Sequence, residues 1–131
     1  MTKQAPKLST LLTRAAKWVD EHGLAKGAFF KYRNGRSINW NNLDDLLEVV
    51  REKGCPACAR GALYVVDDPS LTPYEREQRH SQASSYIENA LDFGGHGLYS
   101  IPDWNDRDET TKEEVVMGLK EAAKAARRDG K

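Results

Sequence analysis

Apolar residues recur along this chain at helical spacing, in stretches bounded by capping residues or glycines, and that pattern restricts the fold to helices packed around a shared core. From Lys7 to His22 the stripe is Leu8, Leu11, Leu12, Ala15, Trp18 and Val19, with Ser9 or Thr10 placed to cap and Gly23 to stop the helix. A second helix is capped by Asn41 or Asn42, carries Leu43, Leu46, Leu47 and Val50, and ends at Gly54. Pro56 suits the first turn of a third, in which Cys58, Ala59, Ala62, Leu63, Val65 and Val66 leave little polar surface. Gly61 and Ala62 on that helix allow another backbone to approach closely. The capping box Thr72-Pro73-Tyr74-Glu75 opens a fourth helix, polar and expected to project into solvent from Glu75 to Gln82, then apolar to Leu91 and broken at Phe93-Gly94-Gly95. A second capping box, Thr111-Lys112-Glu113-Glu114, opens a fifth with the stripe Val115, Val116, Leu119, Ala122, Ala123 and Ala126.

One segment departs from this period. Ala28 to Trp40 alternates apolar and polar residues around Asn34-Gly35, a hairpin signal. A three-residue loop at Arg33-Asn34-Gly35 places Phe30, Tyr32, Ile38 and Trp40 on one inward face. The expectation is therefore α+β but mostly α: about five helices in one core, with one β-hairpin after the first helix. A length of 131 residues suits one domain, 1–131, with 1–6 and 128–131 expected to fray.

Twenty basic and twenty acidic side chains cancel, which argues against a nucleic-acid binder relying on excess positive charge. The cancellation hides an asymmetry: residues 1–66 hold eleven Lys or Arg against six Asp or Glu, and residues 67–131 hold nine against fourteen. The basic surplus is densest at Lys26, Lys31, Arg33 and Arg36, and acids crowd Asp103, Asp106, Asp108 and Glu109. These eight residues are the candidate binding residues. Apolar runs are only a few residues long, so neither a membrane span nor a secretory leader is expected, and two cysteines fit a reducing cytoplasm.

Few constellations point to chemistry. Cys55-Pro56-Ala57-Cys58 has redox-dithiol spacing, but a helix precedes it where a thioredoxin-type unit needs a strand. The competing reading makes Cys58 a small buried apolar residue. A zinc site needs two further ligands, and His22, His80 and His96 are not paired at close spacing. Gly94-Gly95-His96-Gly97 offers backbone amides for an anion, or simply breaks a helix. Trp104-Asn105-Asp106 reads as a clasp holding an acidic loop to the core. No catalytic residue, metal ligand or cofactor is assigned.

Cys58-Ala59-Arg60-Gly61-Ala62-Leu63, Trp104-Asn105-Asp106, Glu114-Val115-Val116 and the Ala-rich last helix together resemble a family of small uncharacterised proteins of actinobacteria and their phages. Cys58, Gly61, Ala62, Leu63, Trp104, Asn105 and Asp106 are its motif residues here. Against that pattern Cys55 looks like an addition, and the polar stretch 75–82 a departure. The resemblance implies a phage or actinobacterial source and no mechanism.

The function expected is non-enzymatic: an accessory protein that binds a protein partner, such as a host protein, as an adaptor or inhibitor. The alternative is a nucleic-acid-associated protein using the basic, aromatic hairpin, and after it a small thiol or metal-dependent enzyme.

Overall fold

The computed structural model describes residues 5–131, so the expected fraying of residues 1–4 lies outside it. The chain is helical: α1 (Leu8–His22), α2 (Leu43–Lys53), α3 (Ala59–Val66), α4 (Pro73–Ala90), α5 (Ile101–Asp106) and α6 (Lys112–Arg128), with a 3-10 turn at Gly94–His96. Long α1 and α6 lie along each other, α3 packs across α1, and α4 packs on α6. Their apolar stripes supply the centre, where Leu11, Leu12, Leu63, Ile87 and Leu119 are almost wholly excluded from solvent. The alanines of α6 keep its contact face slim; Ala122, Ala123 and Ala126 are all buried. No helix among the described residues is long and apolar enough to cross a membrane.

The β-hairpin is not present, and the α+β expectation is corrected to an all-helical fold. Among the described residues the pairings are isolated bridges, Leu24 with Ala57, Phe30 with Ala57 and Lys31 with Ser37, and no strand forms. Competition for backbone groups explains it. Ala25 N–H donates to Ala57 O (3.0 Å), Ala57 N–H to Gly23 O (3.1 Å), Cys58 N–H to Phe29 O (2.9 Å) and Lys31 N–H to Pro56 O (3.2 Å). Residues 23–31 thus form a strap bonded chiefly to the 55–58 linker, and pairing with the far arm of the expected hairpin shrinks to the single Lys31–Ser37 bridge. Beyond it, a turn closes through Gly35 N–H to Tyr32 O and Tyr32 N–H to Arg36 O. Of the four residues expected to face inward, Phe30 and Ile38 are buried, Tyr32 is half-buried, and Trp40 is 53% exposed.

Three further corrections concern helices. The third begins at Ala59, because Pro56 and Ala57 are held extended under the strap and Cys58 becomes the N-cap, its sulfur accepting Gly61 N–H. The stretch around Trp104 is helix α5 and not a loop, making six helices where about five were expected. Its signal was present: Ser100 stands three residues before Asp103, whose N–H it caps, with Pro102 in the first turn. Finally, the first half of α4 is not simply solvated, since Arg76 and His80 are buried.

Candidate functional site

Asn105 is the hub at which distant parts of the chain meet. Buried near the end of α5, it accepts Ala59 N–H at 2.9 Å through Oδ1 and donates through Nδ2 to Ala25 O and Asp106 Oδ1, both at 2.9 Å. It therefore caps α3 from outside and anchors the strap, satisfying buried backbone groups in both. Asp106 Oδ1 also accepts Gly27 N–H at 3.0 Å. Lys26 Nζ donates to Arg107 O, which fastens the strap a third time. Trp104 wedges beneath, 6% exposed, against Phe93 and over Gly118, where an added Cβ would lie 3.1 Å from the indole.

α3 meets the strap from the other side. A Cβ at Gly61 would fall 2.4 Å from Phe29 O, so that position admits no side chain while the strap is closed. Ala62 and Leu63 turn into the core. The motif residues at 58–63 and 104–106, separated by about forty positions, thus converge on one place. They frame a cleft of about 290 Å³ with largely apolar walls, lined by Gly27, Ala28, Phe29, Cys58, Pro102 and Asp106.

Cys58 sits in this cleft as a thiol. Desolvation pushes its pKa up to about 11, against the lowering effect of the Gly61 and Arg60 backbone N–H groups. At neutral pH it is held as the neutral thiol, which disfavours nucleophilic chemistry there. Cys55 is also free, and at 2% exposure it is as much a core residue as Cys58; its carbonyl accepts the Trp18 indole N–H. Among the described residues no group of three or more His, Cys, Asp or Glu side chains is placed to hold a metal ion.

The histidines lie elsewhere. His22 stacks on Trp18 beside Gly54, which ends α2 in the left-handed region. His96 is exposed in the 3-10 turn, where the amides of Gly95 and His96 donate to Asp92 O, so they are not free to cradle an anion. His80 is 2% exposed, with Nε2 3.1 Å from Asp67 Oδ2, and Arg79 grips both oxygens of that carboxylate at 3.1 Å. Burial raises the Asp67 pKa, but hydrogen bonds from His80, Arg79 and the Asp68 N–H outweigh it and hold the carboxyl below its ordinary value. Tyr64 lies edge-on to His80 and donates its hydroxyl to Glu77 at 2.5 Å. Sequence reading missed this network, whose trace is the spacing 76, 80, 83, 87: a helical stripe begun in polar letters.

The eight candidate binding residues separate into three groups. Lys26, Asp103 and Asp106 are engaged within the fold, Asp103 pairing with Arg107 at 3.0 Å. Asp108 and Glu109 are exposed beyond α5. Lys31, Arg33 and Arg36 gather at the turn after the strap and make no ion pair among the described residues; Arg33 and Arg36 are exposed and Lys31 half-exposed. The one basic and the one acidic cluster thus divide into a basic tip, an internal clasp and an exposed acidic pair at Asp108 and Glu109.

No curated protein and no solved structure matches this chain. The profile of DUF6197, described as a family of unknown function, matches residues 3–125, nearly the whole length and all the residues of the clasp, and the chain belongs to that family.

Proposed function

We propose that this protein is a non-enzymatic binding module, a phage or actinobacterial accessory protein that engages an acidic protein in the bacterial cytoplasm through the tip at residues 31–36. One observation carries the reading: three cations gather at one turn with no ion-pair partner among the described residues. Arg33, Arg36 and the exposed Trp40 are also the residue types that dominate protein-binding hot spots. Unpaired exposed cations cost little to approach and accelerate encounter with an oppositely charged surface.

The test is charge reversal. Lys31→Glu, Arg33→Glu and Arg36→Glu together should leave stability within a few tenths of a kcal/mol per site, since these side chains make no ion pair among the described residues. Capture from an actinobacterial lysate with the wild type should retain an acidic protein that the triple variant loses, and its association should slow with added salt. Retention unaffected by the reversal overturns the reading. The exposed Trp40 beside a basic turn also favours a second reading, single-stranded nucleic acid stacked on the indole; direct binding of single-stranded DNA with a steep salt slope and no protein partner would establish it instead.

A further inference from the structure

Pro102, a wall of the Cys58 cleft, borders a neighbouring one as well. On the other side of that residue lies a second cleft of about 300 Å³, lined by Arg60, Glu77, Ser81, Ser84, Glu88 and Ser100 among others, between α4 and the start of α5. Pro102 lines both clefts, and Arg60, which lines the second, lies over the Phe29 ring of the first at 5.9 Å. Each volume is at the lower edge of the range for a small-molecule pocket, and Pro102 is the wall they share.

The polar groups along the two clefts are unevenly charged. At the strap end, Asp106 spends Oδ1 on Gly27 and Asn105, while Oδ2 has no partner among the described residues. At the α4 end stand Glu77, whose Oε1 is taken by Tyr64, and Glu88, whose carboxylate makes no bond among the described residues. Arg60 is the single cation between them and makes no ion pair there. Apolar walls at Ala28, Phe29 and Pro102 suit the methylene stem of a long side chain with a carboxylate at its tip.

We propose that the two clefts act as one groove binding an extended peptide segment with two basic side chains, one paired to Asp106 and one to Glu88, its backbone carbonyls facing Arg60. Three carboxylates against one guanidinium provide the charge complementarity, and the apolar floor provides burial for the stems. The groove is separate from the basic tip, so it is a second contact of opposite sign.

A displayed library of random heptapeptides tests it, selected on the full chain. Sequences with two basic residues should be enriched. For a selected peptide, Asp106→Asn, which keeps an oxygen for Gly27, and Ala28→Lys, which sets a cation in the cleft from an exposed position, should each weaken binding at least tenfold. Reversal of Lys31, Arg33 and Arg36 should leave that binding unchanged, so that failure here and failure of the tip reading are told apart. The proposal is overturned by no enrichment over an unrelated bait, by enrichment of acidic or uncharged sequences, or by selected peptides indifferent to both cleft variants. N-acetyl-arginine amide binding as tightly as the peptide would also overturn it, because the cleft would then be a small-molecule pocket.

Discussion

Asn105 shows how much of the fold can depend on one amide. Replacing it with Ala removes the acceptor for Ala59 N–H and the donor to Ala25 O, two buried backbone groups. Leaving them unpaired should cost about 3 kcal/mol, read from chemical denaturation, and Asn105→Asp should not rescue it, because a carboxylate cannot donate to Ala25 O and would repel Asp106. Gly61 makes the opposite kind of demand. Alanine there gains helix propensity of about 1 kcal/mol, yet its Cβ would strike Phe29 O, so Gly61→Ala should destabilise the protein despite the gain. Cys58 adds a chemical readout: a buried thiol with a pKa near 11 should react with iodoacetamide far more slowly in the native protein than in denaturant. Rapid native alkylation of Cys58 would revive a reactive role for it.

At the scale of elements, the junction of α3 and α4 is held by charge. Asp67 closes α3, and His80 and Arg79 on α4 bond to its carboxylate. Because the folded carboxyl titrates lower than its unfolded value of about 3.9, the stabilisation is full above that pH and is lost as pH falls through the lower folded value. Asp67→Asn should therefore be less stable than wild type at pH 7, with the gap between their melting temperatures narrowing as the pH approaches 2. A gap independent of pH would remove Asp67 from the acid response. Helix α5 is secured by its indole: Trp104→Ala should cost about 3 to 5 kcal/mol, the usual range for deleting a buried large aromatic. The long helices were legible because their apolar stripes and capping boxes repeat the same statement at two levels, as at Thr72 with Glu75. Helix α5 was missed because six residues give too short an apolar period to see, although its capping signal at Ser100 and Pro102 was there. Also missed were the two buried positions in the otherwise exposed first half of α4, where Arg76 and His80 turn inward and contact the carboxylates of Asp44 and Asp67.

Across the whole molecule, the misread hairpin and the convergence of the motifs have one origin. Alternation from Ala28 to Trp40 correctly marks extended backbone at its beginning, but alternation does not say which partner the backbone will choose. The linker after α2 offered unpaired carbonyls and amides in a buried place, and residues 23–31 satisfied them. The clasp residues were legible as a structural motif from Trp104 to Asp106, whereas their meeting with Gly27 and Cys58 is a property of tertiary packing alone. That packing divides the charges as well: cations at 31–36 remain outside while Lys26 is drawn into the clasp.

The strap also determines how the molecule opens. Ala25, Lys31, Ala57 and Cys58 all donate their amide hydrogens across the same seam, and Gly27 donates at its end to Asp106. None of the four seam bonds lies within a helix, so helix fraying does not release them one at a time. Detaching the strap breaks them together, and native-state hydrogen exchange should find these amides leaving as one unit with a shared opening free energy. The Asn105→Ala substitution, which cuts one anchor of the strap, should speed exchange at all of them together, while the α1 and α6 amides at Leu12 and Leu119 should lose protection only by the drop in global stability that denaturation reports.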